Sequence, residues 1–327
     1  MKVCVVGAGA IGGLIGARLA TAGQCRVSAV ARGATLQALQ RHGWRLKLNG
    51  ELLSAPLAGA GQPADLGPQD LVLIAVKGPA MGEVARQIAP LLGPETLVLP
   101  AMNGVPWWFC RGLPGPAADM ALRSVDPDGA VAAAIAPERV IGCVVHASAS
   151  VAEPGVVEHH KGHGLVIGEP GGAPLERTRR VAALLSAAGF DVTLSERIHY
   201  DIWYKLWGNL TTNPVSALTG ATADLIIDDP LVRSFCLAAM TEAARIGERI
   251  GCKVDQTPEE RHEVTRKLGA FKTSMLQDAE AGKPLELDAI VGAVRELGER
   301  VGVPTPNIDA LFGLVRLFAR VKGLYPA

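Results

Sequence analysis

Lys2-Val3-Cys4-Val5-Val6-Gly7-Ala8-Gly9-Ala10-Ile11-Gly12 stands at the head of the chain. Val3 to Val6 is a short, unbroken, largely β-branched run, the pattern of a strand buried on both faces of a parallel sheet. Directly after the glycines, Gly13-Leu14-Ile15-Gly16-Ala17-Arg18-Leu19-Ala20 reads as a small-residue helix ending near Gly23. A G-x-G-x-x-G run carries weight only where it follows a strand and opens a helix within one βαβ unit, and this one does. In that setting Gly7 makes the tight turn, Gly9 lets the backbone approach a pyrophosphate, and Gly12 permits close helix–strand packing. The helix N-terminus adds free N–H groups for phosphate, with Ala8, Ala10 and Ile11 completing the cradle.

Strand and helix patterns go on alternating after the loop. Strands are expected over residues 27–31, 71–76 and 96–100, and helices over 34–41 and 81–91, which predicts a parallel, doubly wound sheet. Residues 140–146 and 156–160 read as strands extending that sheet, joined through Glu153-Pro154-Gly155. A helix over 175–188 and a short strand over 191–194 follow. Beyond Ser195 only helical patterns occur, over 200–210, 230–251, 258–280 and 285–301, the last with a stripe of Leu287, Ile290, Val294, Leu297 and Val301. The fold class is therefore α/β: a Rossmann-type doubly wound sheet over residues 1–195, then an all-α domain over 196–327.

Composition narrows the function classes. The 327 residues carry 32 Lys+Arg and 32 Asp+Glu, a balance that argues against nucleic acid or an acidic membrane surface as partner. The 38 glycines show no period, so collagen-like and repeat architectures drop out. Cys4, Cys25, Cys110, Cys143, Cys236 and Cys252 have no paired spacing and are expected to be reduced and mostly buried, as in a cytoplasmic protein. No secretory leader or membrane span is expected.

The second strand chooses among dinucleotides. NAD sites usually end that strand with an acid for the ribose 2′-hydroxyl. Here it reads Val27-Ser28-Ala29-Val30-Ala31-Arg32, with no acid and a permanently charged, bidentate donor at its tip, which favours the 2′-phosphate of NADP(H). On position alone, a solvated surface arginine is the alternative. Lys77 follows the strand at 71–76 and can add positive charge at another carboxyl end of the sheet. Asn103-Gly104 follows the strand at 96–100; such a pair is most often a turn.

The densest polar cluster is Tyr200-Asp201-Ile202-Trp203-Tyr204-Lys205-Leu206-Trp207-Gly208-Asn209-Leu210-Thr211-Thr212-Asn213-Pro214. On a helix Lys205 and Asn209 share a face, and Asn213 extends the series although its proline neighbour places it near the helix end. A lysine among Trp203, Tyr204 and Trp207 would be partly desolvated and suited to proton transfer; a snorkelling lysine covering an aromatic face is the bland alternative. Farther on come Ser274-Met275-Leu276-Gln277-Asp278 and then Glu286 and Asp288 in a first helical turn, where acids ordinarily serve the helix dipole. His159, His160 and His163 fall in a strand and a glycine turn with no completing ligand set, so no metal is expected.

Together these segments resemble the ketopantoate reductase (2-dehydropantoate 2-reductase) family from end to end. The likeness rests on Gly7, Gly9 and Gly12, Arg32, Lys77, Asn103-Gly104, Lys205-Leu206-x-x-Asn209-x-x-x-Asn213-Pro214, and Ser274-Met275-x-x-Asp278 leading to Glu286-Leu287-Asp288. It implies a helical domain like the C-terminal domain of 6-phosphogluconate dehydrogenases, and NADPH-dependent reduction of a small 2-keto acid to a 2-hydroxy acid such as pantoate. By the same resemblance Lys205 would be the general acid and Asn103, Asn209 and Asn213 would orient keto acid and nicotinamide. Ser274 would hold the carboxylate, and Glu286 would stand near cofactor and substrate and set the state of Lys205. A homodimer is consistent with the resemblance. Pantoate-forming members can carry an asparagine where this chain has Ala221-Thr222-Ala223, and an amide where Phe271 stands. Two alternatives stay open: a relative acting on another 2-keto or 2-hydroxy acid, and a non-catalytic NADP-binding regulator, against which the intact Lys205, Asn209, Ser274 and Glu286 count.

Overall fold

In a computed structural model, which describes residues 1–267 and 269–326, the chain forms two compact units. One comprises Met1–Met102 and Gly129–Ile198, the other Asn103–Asp128 and His199–Ala327. The limits expected from sequence, 1–195 and 196–327, make a single cut; in the structure Asn103–Asp128 belongs with the helical unit. Burial gives the reason. Trp107, Trp108 and Phe109 are buried, and the Phe109 ring stacks on Trp203 at 6.1 Å while His199 meets Trp108 and Phe109 edge-on.

The first unit holds ten strands: β1 Lys2–Val6, β2 Arg26–Val30, β3 Trp44–Leu48, β4 Glu51–Ala55, β5 Gly59–Gly61, β6 Gln69–Ile74, β7 Leu92–Pro100, β8 Gly142–Glu153, β9 Val156–Gly168 and β10 Asp191–Ser195. A parallel sheet of order β5-β2-β1-β6-β7 gives the expected Rossmann-type α/β architecture. Val3, Val5, Leu71 and Leu73 are wholly buried in it, as a strand covered on both faces requires. The order reverses between β1 and β6, so the crevice at their carboxyl ends is where such sheets take ligands. Gly7, Arg32 and Lys77 follow β1, β2 and β6 there.

The strands expected to extend this sheet build a second one instead. Its order is β10-β9-β3-β4, with β8 antiparallel to β9. An isolated bridge, with the Ile141 N–H donating to the Val98 carbonyl at 2.9 Å, links the strand region to β7. The helix Ala10–Ala22 explains the second layer, because its small residues admit close neighbours. A Cβ on Gly13 would strike Val157 of β9, and one on Gly16 would lie 2.5 Å from the Trp44 ring of β3. The β3–β4 hairpin turns at Asn49-Gly50, both with positive φ (52° and 86°), a tight-turn signature that the strand–helix reading passed over.

The second unit is helical, with helices Ile198–Thr219, Ala223–Asp228, Pro230–Arg249, Pro258–Arg266, Ser274–Glu280, Ala293–Val301 and Pro306–Val321. The first runs on through Pro214, nine residues past the expected end at residue 210. The helix expected over 258–280 is two helices; Thr273 caps the second by accepting from the Leu276 N–H at 3.2 Å. Leu268, inside that expected helix, and Ala327 lie outside the described residues. No helix among the described residues is long and apolar enough to cross a membrane. The six cysteines are free, five of them buried; burial pushes the Cys4 and Cys236 thiols up to about 11.

Candidate active site

The glycine loop is shaped for a ligand that packs on backbone. Gly7 has φ +93° and donates its N–H to the Val30 carbonyl at 3.0 Å; a Cβ there would lie 2.6 Å from Val76 Cγ1. A Cβ on Gly12 would strike the Gly7 carbonyl oxygen and sit 3.0 Å from Ala75. Gly9 differs from both. It is exposed, caps the helix Ala10–Ala22, and nothing lies within 4 Å of where its Cβ would be. Two glycines are thus required by the fold, and the third leaves open space at a helix N-terminus, as a pyrophosphate needs.

A cleft of about 330 Å³ opens from that loop, lined by Gly7, Gly9, Val30, Arg32 and Glu83 among others. Arg32 precedes the helix Gly33–His42, its side chain is 74% exposed, and its Nη1 lies 2.5 Å from Glu83 Oε1. Lys77 is half-buried just after β6, at the start of a short turn. Ala8, Ala10 and Ile11 are half-buried along the loop and the first helical turn. This set fits a nicotinamide dinucleotide: backbone space for the pyrophosphate and a cation at the ribose end.

In the second unit, Lys205 Nζ donates to Asn103 Oδ1 at 2.9 Å. The acceptor fixes the amide's orientation, so the Asn103 NH₂ is left to donate elsewhere. Gly104 holds Asn103 in place. Its φ is +79°, a Cβ would lie 2.5 Å from the Ala289 carbonyl oxygen, and the Val105 N–H donates to that same oxygen at 2.8 Å. Ala289 belongs to a π turn, Asp288–Gly292, an interruption of the regular helical ladder of the kind that often marks functional sites. Glu286 is half-buried one turn ahead of Ala289. Beside it, burial raises the Asp288 carboxyl above its ordinary range, opposed by the Tyr325 hydroxyl, which donates to Asp288 Oδ1 at 2.6 Å.

Lys205, Asn209 and Asn213 share one face of the helix Ile198–Thr219, and Asn213 is buried at 4% exposure. Because the helix continues through Pro214, Asn213 is not at its end. The tryptophans do not surround Lys205 as expected. Trp203 and Trp207 lie two residues to either side, so they point to the opposite face, where the Trp207 indole donates to the Met240 carbonyl at 2.8 Å. Lys205 instead meets the Asn103 amide. Ser274 is exposed at the head of the helix Ser274–Glu280. Ala223 and Phe271, at the two departures from the family pattern, are joined by an Ala223 N–H to Phe271 carbonyl bond at 3.0 Å.

Two residues escaped the sequence reading. Glu83 had no motif to announce it. Arg261 lies over the Tyr204 ring at 5.1 Å with its guanidinium carbon 2.7 Å from where a Gly208 Cβ would be; a glycine inside a helix was the available signal.

Known proteins resemble this chain along its whole length. The family model described as Ketopantoate reductase PanE/ApbA matches residues 3–108, and its C-terminal counterpart, Ketopantoate reductase PanE/ApbA C terminal, matches residues 197–319. A 2-dehydropantoate 2-reductase of Mesorhizobium japonicum is 45% identical over 325 residues, covering 99% of this chain and all of its own. A crystal structure from Ralstonia solanacearum MolK2, provisionally named a ketopantoate reductase, superposes with a TM-score of 0.95 at 55% identity over 99% of both chains. D-mandelate dehydrogenase, solved with NADH and anilino(oxo)acetate, shares the fold at a TM-score of 0.84 and 21% identity, over 99% of this chain and 100% of its own.

Proposed function

Since the chain belongs to the ketopantoate reductase family, we propose that it reduces 2-dehydropantoate (ketopantoate) to pantoate with NADPH, for pantothenate synthesis, using Lys205 as general acid. It is an NAD(P)-dependent oxidoreductase of the 2-dehydropantoate 2-reductase type; the substrate, the phosphorylated cofactor and the residue roles are our reading. The contact that carries it is Lys205 Nζ to Asn103 Oδ1 at 2.9 Å, on a loop held to the turn that follows Glu286.

A bound nicotinamide dinucleotide supplies the hydride; everything else is work for the chain's own side chains. The Gly7, Gly9 and Gly12 backbone with the N-terminus at Ala10 and Ile11 would hold the pyrophosphate, and Arg32 and Lys77 the 2′-phosphate. Lys205 protonates the substrate carbonyl oxygen, and its charge stabilises the oxyanion that develops there. Asn103 keeps the ammonium aimed and spends its free N–H groups on the keto acid or the nicotinamide amide. Asn209 and Asn213 offer two more amides from the same helix face. Ser274 binds the carboxylate, and Glu286 fixes the protonation and position of Lys205.

The division of labour follows the two halves of the chain: residues 1–195 hold the cofactor, and 196–327, with Asn103, supply the acid and the substrate contacts. Purified protein mixed with NADPH and ketopantoate should consume reduced-nicotinamide absorbance. A second reading, turnover of a different 2-keto acid, is favoured by the adjacency of Ala223 and Phe271, which puts both departures in one patch. Activity with other 2-keto acids but not ketopantoate would replace the first reading by the second. Inactivity with all of them would leave a cofactor-binding regulator.

A further inference from the structure

Arg32 and Glu83 both line the first unit's cleft, and each is the other's ion-pair partner: Nη1 stands 2.5 Å from Oε1. They come from different crossovers, 51 residues apart in sequence. With side chains 74% and 39% exposed, the pair is wet and weak, and so is readily exchanged for another partner. One guanidinium cannot serve Glu83 and a 2′-phosphate together without gathering two anions at a single cation. A ribose 2′-hydroxyl poses the opposite case, because it is neutral and donates a hydrogen bond that a carboxylate accepts. Sites that take the unphosphorylated ribose place an acid at the end of the second strand. β2 ends without one, and the helix Met81–Gln87, which follows β6, brings Glu83 to Arg32, two residues past the end of β2.

We infer that Glu83 is the specificity-determining residue of the cofactor cleft. It neutralises Arg32 in the free protein, handicaps a 2′-phosphate, and supports a free 2′-hydroxyl. The inference rests on the reading of Arg32 as the group that faces the 2′-position. Discrimination between NADPH and NADH is then the difference between two opposed side chains, and it is narrower than Arg32 alone would give.

Glu83→Gln keeps the size and hydrogen-bonding reach of the side chain and removes its charge. Binding of NADPH and of NADH to the protein, with no keto acid present, is read by titration calorimetry. At low salt the variant should bind NADPH about tenfold more tightly, the scale of one like-charge contact near a surface, and NADH somewhat more weakly. The NADPH gain should shrink as salt is raised. An unchanged NADPH-to-NADH ratio, or equal shifts for both, overturns the inference. Arg32→Gln, titrated in parallel, tests the foundation. Loss of discrimination in that variant supports it, and unchanged discrimination removes the Arg32 reading and the inference with it.

Discussion

The glycine-loop cleft of the first unit and the Lys205 cluster of the second are built from different materials. The cleft is mostly backbone: a positive φ at Gly7, an open Cβ position at Gly9, and N–H groups at a helix start. The Lys205 cluster is side chains on rigid supports, a helix face and a loop pinned by Gly104 to a π turn. A backbone cradle is specified within about a dozen contiguous residues, so its chemistry is local and generic. A side-chain cluster draws on segments about a hundred residues apart, and its chemistry depends on which atoms finally meet.

The largest effect expected from this contrast is a clean separation of chemistry from cofactor binding. Lys205→Ala should slow the chemical step by about two to four orders of magnitude, as for a lost general acid. NADPH affinity, measured without keto acid, should stay near that of the parent. Undiminished turnover would remove Lys205 from its role, and a comparable loss of NADPH binding would show that the two regions do not divide the work.

The glycines sharpen the comparison from the other side. Gly7→Ala forces a side chain into a left-handed conformation against Val76, and should cost about 1–3 kcal/mol of stability as well as cofactor binding. Gly9→Ala meets nothing in the free protein. It should cost under about 1 kcal/mol of stability, the scale of a helix cap, yet weaken NADPH by about tenfold or more, or 1.4 kcal/mol. Thermal midpoints and calorimetric titration of the two variants give the answer. Equal stability losses would mean that Gly9 serves the fold and not the ligand.

Arg32→Ala should produce a more selective change. NADPH should weaken by about 1.5–3 kcal/mol, the value of hydrogen bonds to a charged group, while NADH should scarcely change. Similar losses for both cofactors would mean that Arg32 does not read the 2′-position.

How far each region is legible follows from the same contrast. The glycine loop, the alternation of strands and helices after it and the spacing of Lys205, Asn209 and Asn213 are patterns of contiguous segments, and a sequence displays them openly. Asn103 is legible as a residue at the right end of a strand and through the family resemblance; its contact with Lys205 spans 102 positions, and nothing local encodes it. The second sheet went unread because β3 and β4 were passed over, and without them β8 and β9 had no partners except the first sheet. The tryptophans around Lys205 misled for a simpler reason: nearness in sequence is not nearness on a helix, where residues two apart face away from each other.

The smallest expected effect concerns acid, and it falls on the second unit. Burial holds His262 below the usual histidine range, with Arg233, Arg261 and Arg266 adding to it and Glu259 opposing; both ring nitrogens lack a hydrogen-bond partner at 3% exposure. His199 is lowered in the same direction, again chiefly by burial, against backbone contacts from Arg111 and Phe109. A histidine whose folded pKa lies below its unfolded value binds its proton more readily once unfolded. Its contribution to stability is therefore whole above the ordinary value of 6.5 and is lost as pH falls below it. The first unit's His163 is also lowered but sits half-buried against Arg18 and His159. Four of the five tryptophans, Trp107, Trp108, Trp203 and Trp207, lie in the second unit, so tryptophan fluorescence in urea follows mainly that unit. Its midpoint should drop between about pH 7 and pH 5, with a slope of at most about 1.4 kcal/mol per pH unit for each extra proton. His262→Met fills the site without a titrating ring and should flatten that slope; a variant as acid-sensitive as the parent would clear His262 and leave His199 as the group to replace.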